Sequence, residues 1–330
     1  MNINDALNNQ ENVQEFAEIR PKTLSSYIGQ ENIKRIISVS IQASKQRNEP
    51  LEHMLFYGPP GLGKTTIACV IANEMNKNIK ITTGPAIEKT GDMIALFSSL
   101  SEGDIVFIDE IHRLNKHIEE ILYPAMEDFA VDIFIGEGPS KQSIRIELPK
   151  FTLIGATTRA GMLSAPLRDR FGTVNKMEFY TPPELTDIIK RSAQILKIEI
   201  DDEGAREIAL CSRGTPRLAN RLLRQIRNFA QIEYQNIINK DVVLDVLSVL
   251  GIDNAGLDRN DKKYLKAIYD IGSGCPVGLS TLTSSLGEDE GTIIDVYEPF
   301  LLQEGYINKT PRGRVLTEKG LACIKNKKVF

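Results

Sequence analysis

The chain has 330 residues, 42% of them hydrophobic and 25% charged, which suits a soluble globular protein of two or three domains and excludes disorder on a large scale. Forty Lys and Arg against 44 Asp and Glu leave a net charge of −4, which excludes a generally basic nucleic-acid coat while leaving room for a local basic patch. The N-terminal residues are polar, no long apolar run occurs, and Cys69, Cys211, Cys275 and Cys323 are scattered without paired spacing; a signal peptide, a membrane span, a zinc site and a disulfide framework are all unsupported, and the cytoplasm is the expected compartment.

In chain order, the first structured stretch is 20–30 (R-P-K-T-L-S-S-Y-I-G-Q), where Pro21 imposes extended backbone and Gly29 a turn before a helix expected over 31–46. It is either a plain linker or a wrap in which Ile19, Arg20, Tyr27 and Ile28 wall the base of a nucleotide. The apolar run 53–57 predicts a buried strand, and 64–74 has helical spacing. Between them, 58–65 reads G-P-P-G-L-G-K-T, a phosphate-binding loop. Gly58, Gly61 and Gly63 allow backbone N–H groups to turn toward an anion, and the helix N-terminus adds about half a positive charge. Lys64 is expected on the outer phosphates and Thr65 on Mg²⁺, with Thr66 beginning the helix.

A strand at 79–83 and a helix at 91–100 lead to 104–110, D-I-V-F-I-D-E, a buried strand ending in two carboxylates. Neighbouring residues on a strand point opposite ways, so Asp109 is expected to hold the metal through water and Glu110 to polarise the attacking water. A helix is expected over 111–128, containing Glu119, Glu120, Glu127 and Asp128; His112 and His117 are five apart, off the spacing of a metal-binding helix.

From 131 to 148 the period changes to two around G-E-G-P-S-K-Q, which predicts a hairpin. It is either an edge of the sheet or a protruding arm that shows Ile133, Ile135, Ile144 or Ile146 to a partner. The strand 151–156 ends in Thr157 and Thr158, either of which could hydrogen-bond the γ-phosphate or the water. Arg168 and Arg170 flank a turn in L-R-D-R-F-G, and beyond Tyr180 the pair Pro182-Pro183 is expected to stop regular structure and close the first domain.

The next stretch is helical: 184–196, 202–212, 216–234 and 241–250, with Pro216 at the first position of the third helix and Arg217, Arg221 and Arg224 on one face of it. Helices at 262–269, 279–286 and 292–304 followed by a hairpin at 306–317 suggest a winged helix. From Lys309 onward seven Lys or Arg stand against the single acid Glu318. Contacts from Lys309, Arg312 and Arg314 to DNA phosphates would give a salt slope of about −2.7, roughly a 40-fold loss of affinity between 50 and 200 mM salt. So weak a grip requires several subunits along one duplex, which points to a ring.

These residues resemble the AAA+ ATPases, an α/β class with a P-loop parallel-sheet domain, a small helical domain and, here, a C-terminal winged helix, expected at 1–182, 183–255 and 256–330. Within that superfamily the motifs G-P-P-G-L-G-K-T-T, F-I-D-E-I-H-R-L, L-Y-P-A-M-E-D, I-G-E-G-P, G-A-T-T-R-A-G, L-R-D-R-F-G, R-G-T-P-R-L-A-N-R-L-L-R and T-P-R-G-R are similar, in order and over nearly the whole chain, to the bacterial Holliday-junction branch-migration motors of the RuvB family. The resemblance implies a helicase-like ATP hydrolase that pulls duplex DNA as a hexameric ring in recombination and repair. It implies Thr158, or Thr157, as first sensor, Arg170 as an arginine finger acting in trans, and Arg217 as second sensor. Ile19, Arg20 and Tyr180 would line the base, with Glu127, Asp128 and Phe129 nearby. The hairpin at 132–147 would dock a RuvA-like junction-binding protein, with a RuvC-like resolvase in the same complex, and the basic wing would touch duplex and four-way junction DNA. Lysine at 309 replaces the family's common arginine, keeping charge and losing the planar fork. A clamp-loader subunit, or an initiator that uses ATP only as a switch, is the alternative for these motifs.

Overall fold

Five parallel strands carry the first of two units into which the chain divides between residues 178 and 179. The computed structural model describes residues 18–135 and 142–325. The strands are β1 (Met54–Tyr57), β2 (Ile79–Thr83), β3 (Ile105–Asp109), β6 (Thr152–Thr157) and β7 (Thr173–Lys176), in the order β2-β3-β6-β1-β7. All pairs are parallel, so every strand ends at the same edge, and Tyr57, Asp109 and Thr157 lie at three adjacent ends. The middle strands are buried up to Asp109 at the end of β3, as near-continuous apolar runs covered on both faces must be. Side chains such as Phe107 and Ile154 then contribute about 1.5–3 kcal/mol each.

Helices α1 (Glu31–Arg47), α2 (Lys64–Met75), α3 (Thr90–Ser98), α4 (Lys116–Glu127) and α5 (Ala165–Asp169) complete the unit. The expected helix over 111–128 is interrupted. A single 3₁₀ turn at Ile111–Arg113 follows Glu110, and α4 starts afresh where Asn115 Oδ1 accepts from Ile118 N at 2.9 Å. The strand β7 was not expected, because T-V-N-K is short and half polar; its pairing with β1 defines it. The hairpin forms from β4 (Ala130–Ile135) and β5 (Gln142–Glu147) as a two-stranded sheet separate from the main one, which favours the arm over the sheet edge. Ile144 and Ile146 are exposed on it; the side chains of Ile133 and Ile135 and the connection 136–141 lie outside the described residues.

The second unit opens with α6 (Pro182–Ile195), where Pro182 and Pro183 occupy the first helical turn instead of stopping the chain. Proline suits that position because its missing N–H has no helical partner to lose, and Thr181 and Glu184 close a capping box. Helices α7 (Asp202–Leu210), α8 (Pro216–Glu233) and α9 (Lys240–Val249) follow. A second core gathers Leu257, just before α10, with Tyr264, Leu265, Leu282, Ile293 and Leu301 from α10 (Arg259–Gly272), α11 (Leu279–Leu286) and α12, which runs from Glu290–Thr292 through a π-helical Ile293–Tyr297 to Glu298–Gln303. The wing is β8 (Ile307–Thr310) and β9 (Gly313–Leu316), to which Val277 adds an antiparallel bridge at Arg314. A helix α13 (Glu318–Lys325) follows where only a basic tail was expected; Lys327 and Lys328 lie outside the described residues. Among the described residues no helix is long and apolar enough to cross a membrane.

Candidate nucleotide site and nucleic-acid surface

The loop between β1 and α2 has the backbone that its glycines foretell. Gly58, Gly61 and Gly63 take φ of 143°, 85° and 98°, conformations that L side chains rarely adopt. A Cβ at Gly58 would stand 2.7 Å from the Met177 carbonyl oxygen, and one at Gly63 2.8 Å from the Tyr27 hydroxyl. Gly63 caps α2 without a side-chain hydrogen bond, so the first N–H groups of the helix face the loop and suit an anion. Lys64 is buried at 7% exposure, and its Nζ donates to the carbonyls of Gly58 at 2.8 Å and Pro59 at 3.0 Å. The ammonium thus lies within the loop. Thr65 and Thr66 stand half-buried in the next positions of α2.

The segment before α1 is no free linker. Leu24 N donates to Glu74 Oε1 at 2.9 Å, Asn73 Nδ2 donates to the Lys22 carbonyl at 3.1 Å, and Lys34 Nζ donates to the Tyr27 carbonyl. Ile19 and Tyr27 are buried, while Arg20 is exposed beside Cys69 of α2. Burial raises the Cys69 thiol and Arg20 opposes that rise. The strap therefore lies along the helix that begins at the phosphate loop.

At the carboxyl ends of β3 and β6 the two carboxylates separate, by a route other than strand alternation. Glu110 has already left the strand with φ 48°, a left-handed turn that Asp109 Oδ1 supports by accepting from Glu110 N at 3.0 Å. Gly84 allows this turn to pack close: a Cβ there would meet the Glu110 carbonyl oxygen at 2.5 Å. The two threonines divide as well. Thr157 is fully buried, with Oγ1 accepting from Arg159 N at 2.9 Å and lying 2.8 Å from His112 Nδ1. Thr158 is half-exposed and donates to Glu110 Oε2 at 3.2 Å. His112 Nδ1 is 3.1 Å from the same oxygen, a contact that the sequence reading did not assign. Of the two sensor candidates, Thr158 is the one that touches the carboxylate.

Arg170 closes α5. Its guanidinium carbon stands 4.4 Å from the centre of the Tyr123 ring, and its terminal nitrogens reach the Pro166 carbonyl at 2.8 Å and Glu127 at 3.2 Å. Glu127 therefore belongs with this arginine, and Asp128 pairs with Arg145 of the hairpin at 2.8 Å. Phe129 was expected near the base; its ring instead packs 5.9 Å from Phe151 and 6.3 Å from His53, because the residue turns inward at φ 52° where α4 meets β4. His53 is an internal strut: Nδ1 accepts from Leu153 N, Nε2 faces the Met126 carbonyl, and burial lowers its pKa.

In the second unit, Tyr180 is buried and its N–H donates to the Gly214 carbonyl at 2.9 Å, while Arg217 is exposed in the first turn of α8. That bond joins Tyr180 to the loop that leads into Arg217. Four residues upstream of Arg217, Arg213 joins the start of α10: its guanidinium is 3.0 Å from Asp258 and 2.5 Å from Asp261, and Nε donates to the Gly256 carbonyl at 2.8 Å.

The wing corrects one DNA contact. Arg314 is buried at 6% exposure and forks onto Glu298, whose Oε1 also accepts from Tyr264 OH at 2.9 Å. Its side chain faces the core because β9 alternates, so it braces the wing and cannot present a free cation to DNA. Lys309 and Arg312 are exposed, with Lys309 Nζ 3.9 Å from Glu298.

A parallel-sheet P-loop domain with a threonine bonded to the carboxylate at its acidic strand end, a helical lid and a winged helix define an AAA+ ATPase. Residues 19–177 match the model of the Holliday junction DNA helicase RuvB P-loop domain, 180–253 that of the RuvB AAA lid domain, and 254–325 that of the RuvB C-terminal winged helix domain. The Holliday junction branch migration complex subunit RuvB of Ligilactobacillus salivarius (strain UCC118) is 58% identical over 299 residues, covering 91% of this chain and 89% of that protein. The solved structure of the Thermotoga maritima RuvB Holliday junction branch migration motor superposes with a TM-score of 0.86 at 50% identity, covering 93% of this chain and 98% of that one. The chain belongs to the RuvB family, and the clamp-loader and initiator alternatives give way to that assignment.

Proposed function

We propose that this chain is the ATP-driven motor of Holliday-junction branch migration in recombination and repair, and that it works in the cytoplasm as a hexameric ring on duplex DNA. The observation that carries the reading is the match to RuvB domains in unbroken order from residue 19 to 325. The ATPase domain is taken as 1–182, the lid as 183–255 and the winged helix as 256–330.

ATP lies against the loop amides, with Lys64 exchanging its loop carbonyls for the outer phosphates and Ile19, Arg20 and Tyr180 around the base. The oxygen donors Thr65 and Asp109 suit Mg²⁺, which keeps several waters and needs no protein cage. The ion would neutralise charge developing on the phosphates. Glu110 polarises the attacking water, Thr158 holds that carboxylate and reads the γ-phosphate, and Arg217 senses it from the lid. Arg170 serves a neighbour's site, with Glu127 beside it and Asp128 next along the chain; a finger in trans raises hydrolysis by about 10³ to 10⁵.

Hydrolysis then moves the lid against the ATPase domain and passes from subunit to subunit. Lys309 and Arg312 grip phosphates without reading bases. With Arg314 engaged by Glu298, two contacts per wing give a salt slope of about −1.8, roughly 12-fold between 50 and 200 mM salt. The exposed Ile144 and Ile146 of the hairpin fit docking to a RuvA-like junction-binding protein, with a RuvC-like resolvase in the same assembly. The test is ATP-driven dissociation of a synthetic four-way junction with the RuvA-like partner present, using Glu110→Gln as control. Duplex products from the intact protein and none from the variant uphold the reading; an active ATPase that leaves junctions whole overturns it.

A further inference from the structure

Behind the Arg170 guanidinium, three side chains close a triangle. Glu119 is buried at 6% exposure on α4, and its Oε2 accepts from Ser164 Oγ at 2.6 Å and from Tyr123 OH at 3.3 Å. The Tyr123 and Ser164 oxygens are themselves 3.3 Å apart. Ser164 is the N-cap of α5, accepting from Leu167 N at 3.3 Å, and Arg170 is the residue at the other end of that helix. A five-residue helix has too few internal bonds to hold itself, so its orientation is set by what it rests on.

The spacing on α4 matches this support. Glu119, Tyr123 and Glu127 are four residues apart, on one face of the helix. Glu119 ties the start of α5, the Tyr123 ring lies beneath the guanidinium, and Glu127 pairs with its tip. These contacts differ in permanence. The Glu127 side chain is 57% exposed, so its ion pair is screened and exchanges readily for a phosphate; the Glu119 carboxylate is shut from solvent and bonded twice. Arg170 Nε is buried with no hydrogen-bond partner among the described residues, so the ring face and the two tip contacts are what aim the fork.

We propose that Glu119 and Tyr123 are positioning residues for the arginine finger: they hold α5 and the guanidinium plane in place while the tip passes from Glu127 to the neighbouring subunit's nucleotide. This rests on the trans-acting role of Arg170 proposed above. Because misplacement of a catalytic group by about 1 Å can cost on the order of 10²-fold, Tyr123→Leu and Glu119→Ala are each expected to lower kcat by 10-fold or more. Nucleotide affinity at the subunit's own site stays unchanged. Tyr123→Phe keeps the ring and Glu119→Gln keeps an acceptor, so both return most of the rate.

The deciding experiment mixes subunits. Glu110→Gln has a dead site and an intact finger; a finger-defective subunit has an intact site, so mixed rings recover ATP hydrolysis wherever the first serves the second. Arg170→Ala with Glu110→Gln tests the trans reading, and failure to recover there overturns that reading together with this proposal. Recovery with Arg170→Ala but none with Tyr123→Leu overturns the positioning role alone, as does a wild-type rate from Tyr123→Leu by itself. Recovery by both pairs is the expected result, and a general folding defect would not produce it. Should Glu119→Ala fail to fold, the Tyr123→Leu mixture decides.

Discussion

Thr158 donates its hydroxyl to Glu110 Oε2 at 3.2 Å, joining the end of β6 to the carboxylate that follows β3. The neighbouring strands are parallel and in register from Ile105 with Thr152 to Ile108 with Gly155, so the two residues meet only because both chains leave the sheet at the same edge. Glu110→Gln should lower ATP turnover by about 10² to 10⁴, with nucleotide affinity retained. Thr158→Ala should lower it less. Because the pair acts as one unit, the double variant should be scarcely slower than Glu110→Gln; phosphate-release rates for all three, with nucleotide affinities alongside, measure the non-additivity.

Gly84 leaves room for the Glu110 turn. With a Cβ 2.5 Å from the Glu110 carbonyl oxygen and 3.3 Å from Leu114 N, both backbone atoms, Gly84→Ala must push the turn away from β2. The expected cost is about 1–3 kcal/mol in stability, with a loss of turnover larger than that stability change explains and no loss of nucleotide affinity. Thermal melts set beside phosphate-release rates test it.

Arg314 and Arg312 lie two residues apart in the wing and should behave in opposite ways. Arg314→Ala strips buried Glu298 of its forked partner, leaving the exposed Lys309 ammonium 3.9 Å away, and should destabilise the second unit by about 3–5 kcal/mol. Arg312→Ala should leave the melting temperature near wild type and reduce the slope of log affinity against log salt by about 0.9 per engaged wing. Calorimetry and salt-dependent duplex binding separate the two.

Asp261 links acidity to stability. It is fully buried beside Arg213, and burial first, with repulsion from Asp258, pushes its pKa up to about 6 although Arg213 acts the other way. A folded-state value above the ordinary 3.8 means that the folded chain favours the protonated acid. The stabilising contribution of that proton is complete below the ordinary value and is lost as pH rises through 6, an effect of up to about 3 kcal/mol. Asp261→Asn does not titrate, so the stability of wild type relative to this variant should decline between pH 4 and 6 and level off above; urea unfolding of both across that range measures it.

Where local chemistry suffices, the sequence was legible. The phosphate loop follows from glycines that φ requires, and the buried strands from nearly unbroken apolar runs. What failed was of another kind. The strand Thr173–Lys176 exists because β1 offers it an edge, and the expected 111–128 helix opens instead as a separate turn where Glu110 takes φ 48° and meets Thr158. A long-range partner decides each, and no window of sequence contains it.

The site divides along the same line. By itself the sequence determined which residue types a phosphate loop and an acidic strand end offer, since the proposed roles there need a lysine, a hydroxyl and carboxylates at set distances along one strand and one helix. Only the tertiary structure decided that Thr158 and not Thr157 meets Glu110, that Glu127 sits with Arg170, and that Arg314 is held inward by Glu298 while Arg312 faces water. Periodicity fixes the face of a strand or helix on which a side chain lies, but its charge is satisfied by whatever the fold packs against that face, and that partner comes from elsewhere in the chain.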